Sequence, residues 1–279
     1  MSEDLKTVIE SLKSLVREND GEIPYWGEEI EVSLREPALA GTKQSHGTMS
    51  QNGPVDNFKY GNGIATPSAP SGLQARNDNS LRLLDFYRNE IGDCHLCLLG
   101  DTRNKLVFGV GNPEARVMLI GEGPGYEEDR QGEPFVGKAG QLLDKILGSI
   151  GLDRTKVYIA NIVKCHPMVD PKKPDLRGND RPPLPEEMDK CISFLKKQIG
   201  IIRPQIIVTL GAVATKALLN TYEGITKIRG RWREAAIVPG LPPFKVLPTY
   251  HPAALLRNPE LKRDVWEDMK LLRAALLSN

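Results

Sequence analysis

Along the last two-thirds of the chain, short apolar runs alternate with stretches whose apolar residues recur every three or four positions. Residues 116–120 (RVMLI), 156–163 (KVYIANIV), 205–210 (QIIVTL) and 245–250 (KVLPTY) are nearly continuous in apolar side chains and predict buried strands. Helical spacing is carried by 137–150, 186–199, Ala212–Leu219 and Leu261–Leu277, and a further helix over 81–91 precedes the first strand. Strands alternating with helices predict a three-layer α/β/α fold with a central four-stranded parallel sheet covered on both faces. In such a sheet function collects in the loops beyond the C-terminal strand ends, here after Ile120, Val163, Leu210 and Tyr250.

The first 80 residues follow a different pattern. Leu5, Val8, Ile9, Leu12, Leu15 and Val16 lie at helical spacing and predict an amphipathic helix over 1–18, a surface for a protein partner or for the chain's own body. Residues 19–80 read as a flexible linker. From 37 onward the large aliphatic or phenyl side chains are only Leu39, Val55, Phe58, Ile64 and Leu73, too few to offset the ordering entropy of a Gly-, Pro-, Ser- and Asn-rich segment. The remaining residues, 81–279, form the predicted domain.

Charge sharpens this division. The chain has 279 residues with 37 Lys+Arg against 36 Asp+Glu, a net charge of +1 that by itself argues against a nucleic-acid partner. Residues 1–80 hold 7 basic and 12 acidic residues, which leaves 30 and 24 for the rest, so the neutral total averages an acidic extension and a basic domain. No apolar run is long enough to cross a bilayer, and the N-terminus lacks the apolar core of a secretory signal, so a cytoplasmic monomer without membrane association is expected.

Three loops carry candidate chemistry. The first, 121–144, reads GEGPGYEEDRQGEPFVGKAGQLLD. It is neither a dinucleotide fingerprint, since Tyr126 stands where glycine is needed, nor a P-loop. Gly123 and its neighbours let a flat ligand approach the backbone, Glu122 and Glu128 can orient water, and Phe135 can stack on a ring, although an acidic turn followed by a core phenyl would look the same. Asn161, in ANIVKC, can present donor and acceptor together to a base edge or satisfy its own loop. His251, in TYHPAALLRNP, can donate to developing negative charge or serve as a cap. Leu255, Leu256 and Arg257 suit a wedge entering a base stack, and equally a buried helix start. Lys227, Arg229 and Arg231 alternate and would share one face of an extended segment, meeting successive phosphates or guarding a sheet edge.

The four cysteines of the chain, Cys94, Cys97, Cys165 and Cys191, form one CxxC and two distant singles, all in the basic domain. Together they suggest one tetrathiolate site rather than four separate buried thiols, and spacing does not separate zinc from an iron–sulfur cluster.

The 121–144 segment, ANIVKC, the cysteine framework and HPAALLRNP, in this order, resemble the family 4 uracil-DNA glycosylases, the iron–sulfur type. The resemblance spans about Leu81 to the C-terminus and leaves the first 80 residues aside. It implies a uracil-DNA-glycosylase-like fold, excision of uracil from DNA by hydrolysis of the N-glycosidic bond, and a [4Fe–4S] cluster on Cys94, Cys97, Cys165 and Cys191. It also implies that Phe135 stacks on the flipped base, Asn161 reads the uracil edge and His251 bonds O2 as charge develops. Glu122, Gly123 and Glu128 would form the water-holding wall, and 252–258 would fill the gap in the duplex. Two departures stand out: the 166–190 segment, with a Pro- and charge-rich insertion, is longer than is usual, and His166 stands where Arg is common. A related branch traps DNA covalently through the histidine of a basic KRRIH insertion; that run is absent here, so turnover is expected. The alternatives are a non-catalytic uracil-DNA-binding protein or a covalent cross-linker that acts through His166.

Overall fold

The computed structural model describes residues 72–278. Helix α1 (Gly72–Glu90) and the single turn α2 (Leu99–Thr102) lead into strands β1 (Val110–Gly111) and β2 (Val117–Gly121). Then follow α3 (Tyr126–Gln131), α4 (Lys138–Ser149), β3 (Val157–Asn161), α5 (Pro185–Ile202), β4 (Ile206–Leu210) and α6 (Ala212–Leu219). The chain continues through α7 (Ile225–Ile228), β5 (Arg233–Ala235), β6 (Phe244–Thr249), α8 (Pro252–Arg257) and α9 (Leu261–Leu277).

The strands form one sheet in the order β1-β3-β2-β4-β6-β5. All four predicted strands are present and mutually parallel, with β2 flanked by β3 and β4, and β6 beyond β4. The pleat sends alternate residues to opposite faces. Met118 and Ile120 of β2, Tyr158 and Ala160 of β3 and Ile207 of β4 pack with Leu84 and Tyr87 of α1, Leu195 and Ile199 of α5, and Ala214 of α6. Val117, Leu119, Ile159, Val208 and Leu247 pack on the other face with Leu143 and Leu147 of α4 and Val265, Met269 and Leu272 of α9. Burial on both faces explains why these strands read as unbroken apolar runs.

The structure corrects the expected organisation at three places. Two antiparallel edge strands, β1 and β5, extend the four-stranded core to six; each is two or three residues long and only partly buried, so neither leaves a hydrophobic run. Helix α1 begins at Gly72, inside the expected linker, because a helix extends from an existing turn more readily than it starts. The expected helix over 1–18 and the linker up to residue 71 lie outside the described residues. Finally, the basic segment around Arg229 is not extended: α7 buries Ile228, and a turn through Gly230, at φ +66°, leads to β5. Lys227 and Arg231 point to solvent, whereas Arg229 turns inward to a bidentate pair with the buried Asp268, so the three cations share no face. Thr249 Oγ1 donates to the same carboxylate at 2.6 Å, which ties the end of β6 to α9.

No helix among the described residues is long and apolar enough to cross a membrane.

Candidate active site

A cleft of about 760 Å³ opens at the C-terminal ends of the parallel strands. Its walls come from the ends of these strands and the loops that follow them: Glu122 to Glu128 after β2, Asn161 at the end of β3 with Pro167 beyond it, Gly211 to Val213 after β4, and Tyr250 to Arg257 after β6. Phe135, His251 and Asn161 meet in it, although the first two lie 116 positions apart in sequence.

The floor is built around glycine. A Cβ on Gly121 would lie 2.5 Å from Asn161 Oδ1 and 2.6 Å from the Phe135 ring, so both side chains close over the end of β2 only because that position has none. Asn161 is 1% exposed, and among the described residues its Oδ1 has no hydrogen-bond partner. A buried unpaired amide oxygen costs roughly 1–3 kcal/mol, and such a group facing a cleft is poised for a donor from a ligand.

His251 is the N-cap of α8. The Ala253 N–H donates to its Nδ1 at 3.2 Å, so the neutral ring carries its proton on Nε2, free to donate. Burial, aided by the Arg257 charge, draws its pKa down to about 4 and keeps the ring neutral at physiological pH. Its ring centroid lies 5.3 Å from that of Phe135, with the planes tilted by 34°. Gly211, at φ +91°, passes 3.0 Å from the His251 Cβ at the position where its own Cβ would stand.

The first four carboxylates after β2, Glu122, Glu127, Glu128 and Asp129, are not equivalent. Glu128 accepts from the N–H groups of Val136 and Gly137 at 2.9 Å each and of Gly125 at 3.2 Å, so it braces the loop. Glu127 pairs with Arg177 at 3.1 Å, and the buried Asp129 accepts from the backbone and side chain of Asn104. Glu122 alone of the four has no polar partner for its carboxylate among the described residues, and burial raises its pKa.

The residues expected to enter DNA divide. Leu255 is 1% exposed and belongs to the core beside α4 and α9, so α8 is anchored by it, which corrects the expected wedge. Leu256, at 49%, and Arg257 remain outside at the cleft rim. The insertion after Cys165 is ordered against α3: Arg130 pairs with Asp175 at 2.6 Å, and Arg130 and Arg177 both lie over the Tyr126 ring. Its Arg177, Asp180 and Arg181 line the cleft, which the sequence did not announce. His166 is fully buried and donates through Nε2 to Asp180 at 2.6 Å, which holds that carboxyl below its usual range. A ring so enclosed has no path to a DNA sugar.

Behind the cleft, Cys94, Cys97, Cys165 and Cys191 line one small cavity with Lys164 and Phe194. The thiols share it without forming a preassembled site for a single ion among the described residues. The donor set fits a thiolate-held group: the Lys164 N–H donates to Cys191 Sγ at 3.3 Å, and Arg103 donates to Cys165 Sγ at 3.6 Å. Burial pushes the Cys165 thiol up to about 12 and Cys191 to about 11, a cost that a metal ion held by the thiolates would offset. Lys164 also reaches forward, its Nζ donating to the Asn161 carbonyl at 2.8 Å and to Gln198 at 2.6 Å.

The sequence profile of the Uracil DNA glycosylase superfamily matches residues 108–270. A type-4 uracil-DNA glycosylase of Thermotoga maritima is 42% identical over 191 residues, covering 67% of this chain and 92% of the relative. One from Archaeoglobus fulgidus is 40% identical over 197 residues, 67% of this chain and 90% of the relative. A type-5 uracil-DNA glycosylase of Thermus thermophilus is 31% identical over 160 residues, 52% and 68% of the two chains. With a cleft at the strand ends and a four-cysteine cavity behind it, the chain belongs to the uracil-DNA glycosylase superfamily and sides with its type-4 members.

Proposed function

We infer that this protein excises uracil from DNA by hydrolysing the bond between the base and its sugar. The observation that carries this reading is the buried, unpartnered Oδ1 of Asn161 beside the Phe135 ring and the Nε2–H of His251, an acceptor, a stacking surface and a donor converging on one flat ligand. The uracil N3–H supplies the donor that Asn161 lacks. Extrusion from the duplex exposes the base to the pocket, and Phe135 stacks on it.

Cleavage of the C1′–N1 bond leaves a cationic sugar and a uracil anion. His251, neutral, donates to O2 of the departing base as negative charge collects there, the same logic as an oxyanion hole. Glu122 orients the attacking water, because among the described residues it is the cleft-lining carboxylate not engaged elsewhere; Glu128 braces the loop that holds it. Leu256 and Arg257 at the rim fill the space the base leaves and meet the backbone, while Lys227 and Arg231 supply outlying phosphate contacts.

Cys94, Cys97, Cys165 and Cys191 would hold a [4Fe–4S] cluster, which when bound cross-links the segment after α1 to β3 and α5; zinc is the competing occupant. Iron content and broad visible absorption decide between them. The protein works wherever the chromosome is accessible, in the cytoplasm or nucleoid.

Incubation with a uracil-containing oligonucleotide yields alkali-labile sites at uracil and none in the thymine control. DNA bound without base release would instead mark a non-catalytic binder, and an adduct surviving denaturation would mark a cross-linker.

A further inference from the structure

Phe135 has φ +56°, a left-handed backbone for a bulky aromatic residue. Such a conformation costs about 1–3 kcal/mol and persists only where the surroundings over-determine it. Here two devices hold it. Downstream, Glu128 takes the N–H groups of Val136 and Gly137. From the other side Arg154, in the loop between α4 and β3, spreads its guanidinium over two successive carbonyls, donating to Pro134 O at 3.1 Å and to Phe135 O. The Arg154 Nε in turn donates to Asp144 of α4 at 2.8 Å, and Gly140 leaves the Phe135 carbonyl room that a Cβ would occupy.

Arg154 does not line the cleft. Its fork is spent on the backbone of the one residue whose ring faces His251 and Asn161. Resting on the reading of Phe135 as the ring that stacks on the flipped base, we propose that Arg154, oriented by Asp144, is a positioning residue that holds the Phe135 ring in its stacking pose. Without it the strained peptide relaxes toward negative φ and the ring swings out of register with the pocket. A planar fork suits this task and an ammonium does not, because two adjacent carbonyls must be held together.

The test compares Arg154→Ala, Arg154→Lys and Asp144→Asn in two backgrounds, the natural chain and Phe135→Leu, by single-turnover excision, affinity for uracil-DNA, inhibition by free uracil and thermal midpoint. In the natural background Arg154→Ala is expected to lower the excision rate about tenfold and weaken inhibition by free uracil similarly, with DNA affinity unchanged. Arg154→Lys recovers only part of the rate. In Phe135→Leu the same substitutions cost little more, since the ring they position is gone. Equal rate losses in both backgrounds, or a lower thermal midpoint with the rate per folded molecule intact, would show a merely structural role and overturn the proposal. If Arg154→Ala does not fold, Asp144→Asn decides, with about a threefold, background-dependent loss expected from a guanidinium that has lost its orienting partner. A Phe135→Leu enzyme with unchanged rate sinks the stacking reading itself; an impaired Phe135→Leu beside unimpaired Arg154 and Asp144 variants sinks only the positioning role.

Discussion

The cleft and the cysteine cavity share the segment 161–165, yet they are built on opposite principles. In the cleft the functional groups are kept short of partners among the described residues: the Asn161 oxygen is unpaired, Glu122 is unengaged, and His251 spends Nδ1 and leaves Nε2 free. Around the cysteines, two neighbouring cations already have partners: Arg103 on the carbonyls of Gly92 and Cys94, Lys164 on Asn161 and Gln198. The open acceptor and donor in the cleft can be met by a ligand, whereas the two cations beside the cysteines are held by the protein itself.

That contrast can be broken from either side. The largest effect is expected at His251→Ala, which removes the donor to the departing base and should slow single-turnover excision roughly 100- to 1,000-fold. DNA affinity in a binding titration should stay near that of the natural protein, and a parallel fall in affinity would count against the role. Next, Glu122→Gln should slow excision about 100-fold with little change in thermal midpoint. Glu128→Gln should weigh the other way, costing about 2 kcal/mol in a denaturant titration as three N–H groups lose a charged acceptor, with a smaller rate loss of about tenfold through the Phe135 backbone that it helps to hold. Exchange of those two phenotypes would invert the assignment.

On the proposed role of the cysteines, Cys165→Ser should lower the metal content found by elemental analysis and the thermal midpoint, while the molecules still folded excise uracil within about threefold of the natural rate. A proportionate loss of chemistry per folded molecule would place the resident group in the reaction. The smallest effect concerns pH. The His251 pKa is depressed from its ordinary value of 6.5 to about 4, so the unfolded chain binds a proton that the folded chain refuses. Stability on its account is full above pH 6.5 and falls as pH drops toward 4, whereas activity shows no His251 protonation step between pH 5 and 8. His251→Gln should flatten that part of the stability curve.

Which of these features were legible in the sequence follows from how each is encoded. The four parallel strands and the helices between them stood out because both sheet faces are buried, and Asn161, His251 and Phe135 fell in the strand-end loops that topology singles out. The edge strands did not, since two or three half-exposed residues carry no period. Glu122 and Glu128 looked interchangeable, because which carboxylate meets backbone amides depends on how residues 125–137 curl in space. Arg229 looked like a surface cation; its partner Asp268 lies 39 positions away, on another layer. Leu255 and Leu256 are neighbours in a sequence that suits a wedge, yet the helix turns one into the core and the other out. Arg154 was silent, and the insertion, conspicuous in the sequence, gave no sign that Arg177, Asp180 and Arg181 line the cleft, because those contacts depend on how the chain folds back on itself.

Parallel neighbours cannot be joined by hairpins, so each pairing among β2, β3, β4 and β6 waits for a crossover to be made and closed. Glu122, Asn161 and His251 sit at the ends of three of those strands. No partially folded chain lacking the β4–β6 pairing has a closed cleft. On refolding, excision should therefore return in a single step with the slowest phase that completes the sheet, and no earlier intermediate should release uracil from DNA.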